Sequence, residues 1–179
     1  MSDEADFKAG LLNAIPNLRA FGRSLCGDET RADDLVQDTL MKAWAKRDTF
    51  QPNTNQKAWL FTILRNAYFS EFRKRRRETD DPDNVMADNL AVVPAQQDSV
   101  DLADMVLALN LLPKEQREAL LLISAEGFSY DEAAVICDCA VGTVKSRVNR
   151  ARKRLAEIMG IGPDDTFGMH GELSSVHLA

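Results

Sequence analysis

The stretch Ser129-Tyr130-Asp131-Glu132-Ala133-Ala134-Val135-Ile136-Cys137-Asp138-Cys139-Ala140-Val141-Gly142-Thr143-Val144-Lys145-Ser146-Arg147-Val148-Asn149-Arg150-Ala151-Arg152-Lys153-Arg154 is the most specific part of the sequence. Ser129 followed by Glu132 is a capping box, in which a hydroxyl and a carboxylate reciprocally satisfy N–H groups left open at a helix start. Ala133, Ala134 and Ile136 then supply an apolar face, and Asp138-Cys139-Ala140 makes a turn. Val141, Val144 and Val148 recur at steps of three and four, as the inner face of a second helix requires. Thr143, Lys145, Ser146, Arg147, Asn149 and Arg150 are left for its flanks and outer face. Two short helices across a tight turn, the second rich in long donors, match a helix-turn-helix. Its second helix enters a major groove about 12 Å wide, where donors reach base edges and neighbouring cations hold phosphates. An ordinary helical hairpin shares the apolar pattern but not the run of cations from Lys145 to Arg154, which contains no acid.

Upstream of this unit, Leu102, Met105, Leu109 and Leu112 predict a helix that stops at Pro113. Pro113 suits the first turn of another helix containing Leu120, Leu121 and Ile123, which Gly127 ends. Residues 102–159 thus read as one small helical domain, followed by a tail over 160–179. The segment 79–101 carries Asp80, Asp81, Asp83, Asp88 and Asp98, two prolines, and no Lys or Arg. It reads as a flexible acidic linker. Within residues 1–78, Leu11, Ile15, Leu18, Phe21 and Leu25 predict an amphipathic helix that Pro16 restricts or bends and Gly27 closes. Thr30 and Asp33 read as a capping box opening a second helix with Ala32, Val36, Leu40, Ala43 and Trp44 on one face. Asp33, Asp34, Gln37, Asp38 and Lys42 lie largely off that face. After a polar loop over Gln51 to Asn55, Leu60, Ile63, Leu64, Ala67 and Tyr68 mark a third helix running into Arg73-Lys74-Arg75-Arg76-Arg77. The fold class expected is all-α, two small helical domains joined by a flexible linker.

The chain has 179 residues, 45% hydrophobic and 28% charged, with a net charge of −6. That composition suits a soluble globular chain and is enough for one medium or two small cores. The net acidity hides two basic stretches, Arg65 to Arg77 and Lys145 to Arg154, and for nucleic-acid binding the distribution of charge matters more than its sum. No apolar run approaches the roughly 20 residues of a membrane span, and the acidic start is unlike a signal peptide, so a cytoplasmic location without membrane contact is expected. Cys26, Cys137 and Cys139 suit no disulfide framework or zinc site and are expected to be buried or idle. His170 and His177 lack a partner signature. No catalytic constellation, metal or cofactor site is expected.

Asp33-Asp34-Leu35-Val36-Gln37-Asp38-Thr39, then Ala58-Trp59-Leu60-Phe61-Thr62-Ile63-Leu64-Arg65-Asn66, then Val141 to Arg147 continuing through Arg150-Ala151-Arg152 together resemble the extracytoplasmic-function sigma factors. The three motifs match in order and separation, and the resemblance covers roughly Phe7 to Ile158. The turn and recognition helix around Cys137-Asp138-Cys139 look most like the alphaproteobacterial general-stress (EcfG-type) subgroup. Ala140 departs from the proline that many members carry before that helix. The resemblance implies that residues 1–78 are sigma region 2 and residues 102–159 region 4, and that the chain lends core RNA polymerase the ability to recognise and open stress promoters. It implies that Asp34, Leu35, Gln37 and Asp38 dock on the polymerase clamp. Phe50, Asn53, Asn55 and Asn66 would read the −10 element, the loop capturing a base taken from the stack, while Arg73, Lys74, Arg75 and Arg76 hold phosphates. Thr143, Lys145, Ser146, Arg147, Asn149, Arg150 and Arg152 would contact a GGAAC-like −35 element. A small helical anti-sigma factor of the NepR-like kind is the implied restraining partner.

Trp59, Tyr68, Phe69 and Phe72 suggest stacking platforms for a melted strand, although aromatics at helical spacing more often fill a core, the better reading for Trp59. Two alternative functions share parts of this pattern. A stand-alone helix-turn-helix regulator would not need the Asp33 to Thr39 motif. A sigma-like decoy that captures an anti-sigma factor would not need both basic clusters, and it would carry a receiver domain for which no room follows Arg154.

Overall fold

The computed structural model describes residues 2–52, 54–78 and 100–160; for residues 2, 3, 75, 76, 78 and 100–103 it describes the backbone alone. Asn53, the side chains of Arg75 and Arg76, most of the 79–101 linker and the tail beyond 160 lie outside the described residues. The elements run α1 (Ser2–Cys26), α2 (Glu29–Ala45), a 3-10 turn (Arg47–Thr49), α3 (Gln56–Glu78), α4 (Val100–Asn110), α5 (Lys114–Ser124), α6 (Tyr130–Cys137) and α7 (Val141–Met159). No strand occurs among the described residues, and no described helix is long and apolar enough to cross a membrane.

Helix α1 is continuous through Pro16, whose ring is exposed. A proline inside a helix removes one backbone bond to the preceding turn, and at an exposed position water can replace it. The apolar stripe predicted from Leu11 onward is the buried face: Leu11, Ala14, Leu18, Phe21 and Leu25 are all enclosed, Ile15 partly. Gly27 ends the helix at φ 69°, its N–H donating to the Arg23 carbonyl at 2.8 Å. Helix α2 starts earlier than the Thr30 capping box predicted. Asp28 is the N-cap, its carboxylate accepting from the Arg31 N–H at 2.7 Å. Asp is at least as good a cap as Thr and stands directly after the turn residue, so it wins. The face predicted for α2 is buried at Ala32, Val36 and Ala43 and partly buried at Leu40, whereas Trp44 is 38% exposed. Helices α1, α2 and α3 close around Phe21 and Phe61, ring centres 5.0 Å apart, with Leu60 and Leu64 fully buried beside them.

In the second half, α5, α6 and α7 pack through Leu120, Leu122, Ile136, Val144, Val148, Ala151 and Leu155. Pro113 stands at the N-cap of α5 rather than in its first turn, at φ −52° and ψ 140°. An extended ψ lets its carbonyl accept from the Gln116 and Arg117 N–H groups at 3.0 and 2.9 Å. Gly127, at φ 74°, turns the chain into α6. The two halves also pack on each other, α3 against α6 and α1 against α5, with Phe61 meeting Phe128 edge-on at 5.0 Å. The sequence pattern had shown two units and a linker but no contact between them.

Candidate nucleic-acid interface

The capping box of α6 forms in full. Ser129 Oγ accepts from the Glu132 N–H at 3.2 Å and donates to Glu132 Oε2 at 2.9 Å, while the Ser129 N–H donates to the same oxygen at 2.9 Å. These bonds to the charged form hold the Glu132 carboxyl below the usual carboxylate range, with Asn55 adding to the effect. Asp138 then turns the chain at φ 49° and ψ 53°, a left-handed conformation that Asp tolerates better than most residues. Ala140 stands at the N-cap of α7 in extended geometry without a side-chain bond. The absence of proline there leaves the helix start intact.

Burial of Val144, Val148, Ala151 and Leu155 fixes the rotation of α7, so Lys145, Ser146, Asn149 and Arg150 are turned outward and exposed. Ser146 Oγ donates to the Thr143 carbonyl at 2.9 Å, which leaves its lone pairs facing out. Thr143, Arg147 and Arg152 are half-buried on the flanks. Arg147 points back at the turn, donating to Cys139 Sγ at 3.7 Å, so it braces the motif from inside. Cys26 and Cys137 are buried, and burial, helped by Glu118, pushes the Cys137 thiol up to about 12. It stays protonated and unreactive at neutral pH.

The first half offers a different surface. Phe7, Phe50 and Trp59 cluster with ring centres 5.3 to 6.1 Å apart. Beside them a cleft of about 570 Å³ is lined by Glu4, Asp6, Phe7, Arg47, Asp48, Phe50, Pro52, Thr54 and Gln56. Aromatic walls with acceptors at the rim suit a flat polar ring better than a phosphate. Gln56 Nε2 donates to the Phe7 carbonyl at 3.0 Å, and a Cβ on Gly10 would lie 2.0 Å from Gln56 Oε1, so this wall depends on a close approach that glycine permits. Asn66, Arg73 and Lys74 are exposed on α3. Asn55 is already engaged on both sides of its amide: Oδ1 accepts from the Ala58 N–H at 3.1 Å, and Nδ2 donates to Glu132 Oε1 at 2.6 Å.

Arg65 does not belong with the exposed basic cluster. Its Nε donates to Glu118 Oε1 at 2.6 Å, and Glu118 is 1% exposed. Burial pushes the Glu118 carboxyl up and Arg65 opposes that shift. The aromatics suggested as stacking platforms are packed or covered. Trp59 is half-buried within its cluster, and burial pushes the Tyr68 hydroxyl up to about 12, where it accepts from Lys114 Nζ at 3.1 Å. Arg65 lies 4.5 Å over Phe69 and Lys114 4.6 Å over Phe72. On α2, Asp34, Gln37 and Asp38 are exposed, with Asp38 bonded to Lys42 at 2.6 Å. Leu35 is buried in the core, because it completes the apolar face with Val36 and Thr39, and it offers no outward contact. Met41, 66% exposed one turn beyond Gln37, was missed in the sequence, although an apolar residue interrupting a polar face is a readable signal.

Residues 13–78 match the family described as Sigma-70 region 2 and residues 102–155 the family described as Sigma-70, region 4. The chain is 53% identical over 162 residues to the ECF RNA polymerase sigma factor EcfG of Rhodopseudomonas palustris, covering 87% of this chain and 90% of that protein. The sigma factor RpoE from Bartonella quintana, solved in complex with the anti-sigma factor NepR, is similar in structure at a TM-score of 0.78 and 57% identity, covering 87% of this chain and 98% of that one. CnrH, solved with the cytosolic domain of CnrY, is similar at a TM-score of 0.62 and 27% identity, covering 88% and 89%.

Proposed function

The chain belongs to the extracytoplasmic-function RNA polymerase sigma factors, and from that premise we propose how its surfaces divide the work of initiation. It binds core RNA polymerase and directs promoter recognition and opening. Residues 1–78 serve the clamp and the −10 element, 79–101 are the connection, 102–159 serve the −35 element, and 160–179 form a tail. Asp34, Gln37 and Asp38, with Met41 beside them, present a polar face to the clamp. Asn66, Arg73, Lys74, Arg75 and Arg76 hold the −10 strand, and the aromatic-walled cleft beside Phe50 and Asn53 receives a base from it. Lys145, Ser146, Asn149 and Arg150 read the −35 element, with Thr143, Arg147 and Arg152 supporting them. The chain acts in the cytoplasm as a non-catalytic subunit, directs general stress genes, and is restrained by a small helical anti-sigma factor of the NepR kind.

The observation that carries this reading is the rotation of α7, which buries its valines and turns two cations and two amide or hydroxyl groups to one outward face. Run-off transcription with purified core polymerase tests it. Transcripts should start from promoters with a GGAAC-like −35 element and not from templates in which that element is scrambled. Duplex binding without transcripts would favour a stand-alone regulator, and anti-sigma binding without either would favour a decoy.

A further inference from the structure

A cavity of about 200 Å³ lies between α1 on one side and α4 and α5 on the other. Phe21, Val106, Leu109 and Leu121 supply apolar walls, and Arg117 and Asn110 supply polar ones. Arg117 is 4% exposed, and its Nη1 donates to Asn110 Oδ1 at 3.0 Å. Among the described residues its Nε has no hydrogen-bond partner and no carboxylate pairs with its guanidinium. Two neighbouring acids are committed elsewhere. Glu118 meets Arg65 at 2.6 Å, and Glu126, which also lines the cavity, accepts from Lys57 Nζ and Asn17 Nδ2, each at 2.9 Å, through one carboxylate oxygen. The other cation of the lining, Arg23, is exposed and paired with Glu29. Burial lowers the pKa of Arg117, and the group that opposes this, the Tyr68 hydroxyl, is itself pushed up to about 12 and is neutral at pH 7. A buried cation thus stands beside an apolar space with no anion to answer it.

Taking a charge out of water without a counter-ion is costly, and folded chains rarely leave one so. We propose that the cavity is a binding site for a small monocarboxylate with an apolar body, unbranched or monoaromatic, whose carboxylate answers Arg117 and Asn110. The planar guanidinium suits a carboxylate, and Asn110, whose Oδ1 is taken by Arg117, keeps its Nδ2 donors for the same group. A single uncompensated cation favours a monoanion. A phosphate dianion would meet the Glu126 carboxylate on the opposite side of the charge balance, with Arg23 already paired. The volume lies below the roughly 300 to 1,000 Å³ of drug-sized sites, which sets the ligand at about ten non-hydrogen atoms. A helix with its side chains is about 10 Å across and does not fit. None of the lining residues belongs to the clamp-facing group on α2 or the outward face of α7, so the site is separate from both.

Calorimetric titration of the full-length chain with benzoate, octanoate and their neutral counterparts benzyl alcohol and 1-octanol tests the site. At least one acid should bind with a Kd on the order of 0.1 mM, an ordinary affinity for a ligand of about ten atoms, and its alcohol roughly tenfold more weakly. Arg117→Met removes the charge at similar length and should erase the preference for the acid. Val106→Trp fills the cavity from a half-buried position and should abolish binding of acid and alcohol alike. Far-UV circular dichroism checks both folds, and Val106→Trp carries the test if Arg117→Met misfolds. No binding by either acid overturns the site, and so does an acid that binds no more tightly than its alcohol. Binding that survives both variants unchanged places the ligand elsewhere and overturns it equally. Transcription is not among these readouts, so a failure here leaves the sigma-factor reading standing, and the loss of that reading leaves the site.

Discussion

Two neighbouring residues of α7 separate stability from recognition. Val148 is 1% exposed in the second core, and Arg150, two positions on, is exposed. Val148→Ala removes buried methyl groups and leaves a void, which should cost about 2 kcal/mol of unfolding free energy. Once folded, that variant should keep the parent's −35 preference. Arg150→Ala should do the reverse, losing about 1 to 3 kcal/mol of discrimination at one base pair if the guanidinium reads a base edge, with little change in stability. Urea denaturation and a binding series over single-base promoter variants measure the two quantities; a flat series for Arg150→Ala removes it from the reading face. The outer and inner faces of α7 were legible because valine spacing fixes a helix's rotation. The roles of Arg65 and Arg147 were not. Sequence gives the sign of a side chain on a helix flank, but whether it faces solvent, a buried glutamate or its own turn depends on a neighbour 53 residues away for Arg65 and on the path of the turn for Arg147.

At the scale of the helix, the capping box of α6 was readable from two residues because both partners lie within one turn. The start of α2 was misplaced by a similar argument, since Asp28 and Thr30 both qualify as caps and only the backbone decides between them. Ser129→Ala should cost about 1 kcal/mol at neutral pH by opening the box. Glu132 has a lowered pKa in the fold, so its contribution is fully present above the ordinary carboxylate range and is lost as pH falls through its own lowered value. The deficit of Ser129→Ala should therefore shrink in acid, as the parent loses the same bonds. Glu118 has the opposite sign: burial raises its pKa, so its contribution is greatest below the ordinary range and declines as pH rises through the raised value. Denaturation of Ser129→Ala and the parent across pH 3 to 7 is the measurement, and a deficit independent of pH would detach Glu132 from the cap.

At the scale of the whole molecule, the division into halves was legible and their packing was not. The composition shift at 79–101 is a local signal, whereas the pairs that join the halves link residues 46 to 109 positions apart. No periodicity reports such partners, and Glu118 and Glu126 look in sequence like any surface acid. The closed arrangement bears on how a partner restrains the chain. Because the polar face of α2 is exposed while the halves are packed, an inhibitor must exclude core either by covering that face or by holding the halves at a spacing that core does not accept. Both routes make inhibitor and core alternatives for one chain. Raising core concentration should then displace a NepR-like inhibitor at equilibrium, with the apparent inhibitor affinity falling about tenfold when core reaches ten times its own dissociation constant. Asn17 Nδ2 of α1 donates to Glu126 Oε2 of the second half at 2.9 Å, so Asn17→Asp, which sets two carboxylates together there, separates the routes: an inhibitor that grips both halves should bind this variant several-fold more weakly, while one that covers α2 alone should bind it unchanged. Anisotropy of a labelled inhibitor, titrated with core against both forms of the chain, reads these outcomes. A stable complex of all three components that still transcribes would rule out occlusion by either route.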